Sequence, residues 1–171
     1  VALISSSRPE WNYLDMGVQQ IGAVMVPIYP TISEDDYRYI LDHAEAQYIF
    51  IEGPELLRKI RNILPDLKSV KDVYTFKKRD ENISSFDELL ALGQANAVPE
   101  KLKEIKDSIQ PSDIVTMIYT SGTTGVPKGV MLNHDNLISN FMAVRNIPNA
   151  EFTRCLSYLP LCHIYERMMN Y

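Results

Sequence analysis

The sequence predicts an α/β fold, an open and mostly parallel sheet with flanking helices. Three observations predict it. Short apolar runs alternate with amphipathic segments in the order β-α-β-α-β-α-β. The amphipathic segments begin at proline or serine caps, as helices do. Finally, a string rich in glycine and hydroxyl residues, "YTSGTTGVPKGV", directly follows an apolar strand, and ligand sites in such sheets form beyond strand C-termini.

The elements follow in chain order. "VALIS" is a short apolar strand. "PEWNYLDMGVQQIG" carries Trp11, Leu14, Val18 and Ile21 at helical spacing, with Pro9 suited to the first turn and Gly22 to the stop. Trp11 and Tyr13 are both expected in the core. "AVMVPIYP" reads as a second strand, closed by Pro27 and Pro30. Ser33 and Asp36 have capping-box spacing at the head of a helix whose apolar face is Tyr37, Ile40, Leu41 and Ala44. Glu34 and Asp35 suit the positive end of that helix.

"QYIFI" is a third strand. "GPELLRKIRNIL" is a helix with Leu56, Leu57, Ile60, Ile63 and Leu64 inward and Arg58, Lys59 and Arg61 outward. "VKDVYTF" is another strand and "KKRDEN" a charged turn. Ser85 and Glu88 form a capping box for "FDELLALGQAN". "PEKLKEIKDSI" is a surface helix, which leads through "QPSD" to the strand "IVTMIYT". "GVML" is a strand beyond the glycine-rich string, and the chain stops inside a segment that reads as a helix. The chain thus divides into an α/β segment over 1–110 and a glycine-rich and histidine-containing segment over 111–171. A start in a strand and an end in a helix read as a domain incomplete at both ends.

Composition narrows the function. Of 171 residues 46% are hydrophobic, which suits a globular core and argues against disorder. The net charge of −5 argues against nucleic acid as the main partner. Cys155 and Cys162 fit neither a CxxC pair nor a zinc pattern and read as free thiols in a reducing cytosol. No apolar run reaches the ~18 residues of a membrane span, and no signal peptide is visible.

The glycine-rich string has the chemistry of a phosphate cradle. Gly122, Gly125 and Gly129 let backbone N–H groups approach an anion. Thr120, Ser121, Thr123 and Thr124 add hydroxyl donors, and Lys128 adds the full positive charge. It is not a Walker A loop: counting from Gly122, the second glycine position is Pro127, and Gly129 rather than Ser or Thr follows Lys128. The expected arrangement is strand–loop–strand, with no helix dipole aimed at the phosphates.

"YTSGTTGVPKGVMLNH" resembles the phosphate-binding signature of the adenylate-forming superfamily of acyl-CoA synthetases, luciferases and peptide-synthetase adenylation domains. "LSYLPLCHIYER" resembles the superfamily's next block, where a strand runs into a His-containing helix start, and "HIYER" looks most like the long-chain fatty acyl-CoA synthetases. "SSRPEW…GAVMVPIYPT" is similar to the start of the same branch's N-terminal domain.

The resemblance implies a partial N-terminal adenylation domain. It implies ATP, magnesium and coenzyme A, with a fatty acid as the other substrate. A carboxylate would attack the α-phosphate of ATP, and the thiol of coenzyme A would then take the acyl group from the adenylate. Thr120, Ser121, Gly122, Thr123, Thr124, Gly125 and Lys128 would hold the β- and γ-phosphates, and Thr120 or Thr123 would lie near magnesium. His163 would lie by the reacting carboxylate, alongside Lys128 as a catalytic group, although a histidine there could also be purely structural. Glu166 and Arg167 are read as a solvated helix face without a role. Cys162 stands where relatives often carry Ser or Ala, which would reshape the nearby pocket slightly.

The family's adenine-stacking block, ribose-binding aspartate, hinge and C-terminal catalytic lysine have no match in this stretch, which alone is expected to be weakly active at most. Other readings remain: a relative with a carrier-protein or oxidase-type acceptor, or a non-catalytic nucleotide-binding module. A cytoplasmic location is expected, and long-chain substrates imply peripheral membrane contact, although no amphipathic anchor is evident.

Overall fold

The computed structural model describes residues 1–77, 83–121, 125–145 and 156–170; at Ser121, Val144 and Arg145 only the backbone is described. Its centre is a five-stranded parallel sheet in the order β2-β1-β3-β4-β5. The strands are β1 (Ala2–Ile4), β2 (Val26–Ile28), β3 (Tyr48–Ile51), β4 (Asp72–Thr75) and the two-residue β5 (Ser84–Ser85). Between them run α1 (Pro9–Gln20), α2 (Glu34–His43) and α3 (Pro54–Ile60); α4 (Phe86–Ala95) follows β5. The alternation read from the sequence is present, and β5 is a strand that the sequence did not announce.

The period of two along the strands divides the core between the faces. Ala2, Ile4, Ile49 and Ile51 pack with Tyr37, Ile40 and Leu41 of α2 and with Leu57 and Ile60 of α3. Leu3 and Phe50 point the other way, toward Trp11, Leu14 and Val18 of α1 and Phe86 of α4. Two helices therefore cover each face. Each fully buried Leu, Ile or Phe contributes roughly 1.5–3 kcal/mol.

Local chemistry sets the boundaries. Gly22, at φ +66°, closes α1 with Ala23 N–H donating to Val18 O at 3.1 Å and Gly22 N–H to Gln19 O at 3.1 Å. Ser33 caps α2 by accepting from Asp36 N–H at 3.1 Å, while its hydroxyl donates to the Asp36 carboxylate at 2.7 Å. The box at α4 is complete in both directions: Glu88 N–H donates to Ser85 Oγ, and Ser85 N–H to Glu88 Oε2. The α3 helix stops before the expected end, and a 3₁₀ turn at Leu64–Asp66 replaces its last residues. Pro65 supplies no N–H and disfavours the helical conformation at Leu64. The helix α5 (Pro99–Ser108) lies on the surface with no buried residue, as expected. The turn residues 78–82 and Cys155 fall outside the described residues, Tyr13 is 67% exposed instead of buried, and Glu166 and Arg167 are buried instead of solvated.

The second half of the chain departs from a single parallel sheet. β6 (Ile114–Ser121) pairs antiparallel with β7 (Pro127–Asn133), and α6 (His134–Arg145) follows without having been read from the sequence. A lone parallel bridge, Met25 to Thr116, joins this hairpin to the outer side of β2. There Met25 N–H donates to Val115 O at 3.0 Å and Met117 N–H to Met25 O at 2.9 Å. Val26 N–H turns back to Val1 O in the β1 direction, so the next position facing β6 is Pro27. Proline has no N–H to offer, and the ladder cannot continue beyond Met25. The two strands stay side by side beyond that point without a hydrogen-bonded ladder.

Candidate active site

A crevice of about 540 Å³ lies beside β2 and β6. Pro27, Ile28 and Tyr29 line one wall, and Ile40 of α2 lies at its base. Ile118, Tyr119, Thr120, Gly125 and Pro127 of the hairpin line the second wall. Cys162, His163 and Ile164 close the third side at the head of α7 (Ile164–Met169). The lining is mostly apolar, with Asp36, Thr120 and His163 among its polar residues. A long apolar ligand with one polar, reactive end fits such a lining.

The glycine-rich string closes the hairpin, which confirms the strand–loop–strand arrangement. Thr120 lies opposite Lys128, and Ser121 opposite Pro127. Thr120 and Lys128 are both exposed at this end, so a hydroxyl and an ammonium stand paired across two strands. Gly125, at φ +80°, occupies a left-handed backbone region that favours glycine. Gly122, Thr123 and Thr124 lie outside the described residues, as does the side chain of Ser121. Lys128 itself does not line the crevice.

The hairpin is tightly packed near its turn end. A Cβ at Gly129 would stand 2.9 Å from Met117 Sδ and 3.2 Å from Tyr119 Cζ, so only glycine fits opposite Tyr119 without displacement. The Tyr119 ring is buried, and burial pushes its phenol up to about 12.

His163 is exposed at the N-cap of α7, where Nδ1 accepts from Tyr165 N–H at 3.3 Å. A neutral ring that accepts through Nδ1 carries its proton on Nε2. The capping bond thus leaves His163 with an Nε2–H donor. The histidine has both a structural bond and a place on the crevice wall. Cys162, beside it, is a buried free thiol pushed up to about 11 by burial. The segment 156–160, expected to be a strand, carries none.

Glu166 and Arg167 do not form a solvated face; both are buried. The Glu166 carboxyl is held below its usual range, first by the Ser157 hydroxyl and further by backbone N–H groups that include Leu159. Arg167 makes a two-bond fork to Asp15, from Nε at 2.8 Å and from the terminal nitrogen at 2.5 Å. The sequence carried one signal of this pair. Asp15 sits within the apolar stripe Trp11–Leu14–Val18, where a charge needs a buried partner.

Among the described residues, no group of three or more His, Cys, Asp or Glu side chains could hold a metal ion. The exposed Thr120 hydroxyl is an oxygen donor of the hard kind that magnesium accepts. No helix among the described residues is long and apolar enough to cross a membrane.

The architecture is a parallel sheet with flanking helices, extended by an antiparallel hairpin. The chain belongs to the AMP-binding enzyme family, whose model matches residues 1–171. It is 35% identical over 181 residues to the peroxisomal long chain acyl-CoA synthetase 7 of Arabidopsis thaliana, covering 98% of this chain and 25% of that protein. It is 36% identical over 180 residues to the long-chain-fatty-acid–CoA ligase ACSBG1 of Rattus norvegicus, covering 99% and 25%. The chain therefore spans about a quarter of the length of the curated relatives it matches. The fold matches that of the red emitting luciferase from Phrixothrix hirtus with a TM-score of 0.79 at 17% identity, over 98% of this chain and 33% of that one.

Proposed function

We propose that this chain is the phosphate-gripping portion of an ATP-dependent long-chain fatty acid–CoA ligase. One observation carries the reading: Thr120 of the hairpin and the imidazole of His163 line one largely apolar crevice, and Lys128 stands opposite Thr120 on the paired strand. The names of the relatives supply the substrate class, since acyl-CoA synthetases and long-chain-fatty-acid–CoA ligases align along nearly the whole chain.

In this reading a fatty acid lies along the apolar walls with its carboxylate near His163. The carboxylate oxygen attacks the α-phosphorus of ATP and the bond to the bridging oxygen breaks, giving acyl-adenylate and pyrophosphate. Thr120, Ser121, Gly122, Thr123, Thr124, Gly125 and Lys128 hold the β- and γ-phosphates. Their task is to stabilise the charge that builds on the departing pyrophosphate. Nε2–H of His163 donates to the carboxylate and orients it. Thr120 or Thr123 would help to hold a magnesium ion, which would supply positive charge against the phosphates. Coenzyme A then takes the acyl group as a thioester and AMP leaves. A cytoplasmic enzyme in peripheral contact with membranes, from which long-chain acids are drawn, fits this substrate class.

The test is ATP–pyrophosphate exchange by the full-length protein with fatty acids of graded length, followed by AMP release with coenzyme A. Exchange that rises with chain length supports the reading. No exchange with any carboxylate overturns it, and exchange without thioester formation assigns a different acceptor.

A further inference from the structure

Arg167 takes no part in the chemistry above, yet it is fully buried and joins three segments. Its guanidinium forks onto Asp15 of α1, and another nitrogen donates to Thr116 Oγ1 of β6 at 2.8 Å. The Thr116 hydroxyl passes the chain on, donating to Met25 O at 2.8 Å beside β2. The guanidinium carbon also stands 5.7 Å from the centre of the Trp11 ring. On its own helix Arg167 N–H donates to His163 O at 3.1 Å, closing the first turn.

These bonds reach both sides of the crevice. Thr116 shares β6 with Thr120, and Arg167 shares the turn that His163 caps. A buried ion pair adds little net stability, because desolvation offsets most of its attraction. What a planar two-bond fork does supply is a fixed distance and direction. The geometry points to Asp15–Arg167–Thr116 as a positioning network that sets His163 at a fixed span from the phosphate-holding end of the hairpin. Arg167 is a positioning residue that acts through His163 and through β6. The kinetic consequence rests on the ligase reading; the geometric one does not.

The experiment uses the full-length protein and four variants: Arg167→Lys, Arg167→Met, Thr116→Val and the repacked pair Asp15→Leu/Arg167→Met. Thermal melts, exchange kinetics and amide hydrogen exchange at the end of β6 and the start of α7 are measured on each. Arg167→Met alone leaves Asp15 buried without its fork and melts early. The repacked pair recovers most of the melting temperature, because apolar groups replace a buried pair without penalty.

If the network positions, the repacked pair still loses kcat by about tenfold to a hundredfold with a smaller change in KM for ATP. Its amides at both segments also exchange faster than in the wild type. Thr116→Val, which removes a single arm, lowers kcat severalfold with little change in melting, and Arg167→Lys restores melting better than kcat. A repacked pair with wild-type kcat and wild-type amide exchange overturns the proposal and leaves Arg167 as plain core. A wild-type protein inactive with every carboxylate sinks the ligase reading, while amide exchange still decides the network: faster exchange in the repacked pair upholds it and unchanged exchange overturns it.

Discussion

The hydroxyl of Tyr119 lies 2.6 Å from Nδ1 of His43, a hydrogen bond that joins the strand leading into the glycine-rich string to the last residue of α2. The ring of Tyr39 stacks on His43 at 5.4 Å, and the Tyr119 ring meets His43 edge-on at 5.8 Å. The hairpin is therefore fastened to the parallel sheet's helical layer near its turn end, and through Met25 on its side.

Tyr119→Phe tests the first fastening. It keeps the ring packing and removes one partner from a partly buried bond, which costs about 1–2 kcal/mol. Urea unfolding should report that loss. If the bond also fixes the loop, the KM for ATP rises severalfold in the full-length protein. An unchanged midpoint and an unchanged KM would mean that the bond holds nothing.

Gly129→Ala tests the same place from the opposite strand. The added Cβ would press on Met117 Sδ at 2.9 Å and on the Tyr119 ring at 3.2 Å. Methionine can yield, but the tyrosine ring is pinned by His43. Overpacking of this kind costs about 1–3 kcal/mol. Combined with Tyr119→Phe, the penalty should fall below the sum, because the freed ring can move. Strict additivity in a double-mutant cycle would contradict the pinning.

Much of the fold was legible because burial and period coincide. Ala2, Leu3 and Ile4 alternate between the two helical layers, and Ser33 and Ser85 cap the helices at which their spacing placed them. α6 was not read, although Leu137 with Phe141 and Ile138 with Met142 stand at helical spacing; in the structure only Leu137 of its described side chains is buried, and Ile138, Phe141 and Met142 stay exposed. Thr120, Gly125 and His163 were found through motifs, and the structure brings those three to one crevice. The Asp15–Arg167 and His43–Tyr119 bonds were hidden because their partners stand 152 and 76 positions apart, and no local pattern encodes such a pairing. Tyr13 was misread because Trp11 alone fills the inward direction of that turn, leaving Tyr13 at the surface.

Lys128→Ala should separate function from folding. The side chain is exposed and holds no core position, so stability should stay within about 0.5 kcal/mol of wild type. If Lys128 neutralises the departing pyrophosphate, exchange falls by about a hundredfold to a thousandfold, as when a preorganised charge-stabilising donor is removed. Lys128→Arg keeps the charge and should recover part of the rate. A Lys128→Ala enzyme with an unchanged exchange rate would remove this residue from the mechanism.

Alkaline stability follows from three buried groups. Burial pushes the Cys162 thiol from 9.0 up to about 11, and the phenols of Tyr37 and Tyr119 from 10.0 up to about 12. In the unfolded chain each loses its proton at the lower value, so between about pH 9 and 12 the folded state binds more protons. Stability is then full below pH 9 and falls as the pH rises through this window, by on the order of 1 kcal/mol per pH unit for each group inside its own range. Urea midpoints taken from pH 7 to 11 should be flat at first and then decline. Cys162→Ala should delay the onset, since the thiol enters its window first. The same burial keeps Cys162 protonated near neutrality, so iodoacetamide should label it far more slowly in the folded than in the urea-unfolded protein. Equal labelling rates in the two states, or a midpoint that holds steady to pH 11, would contradict the burial of these groups.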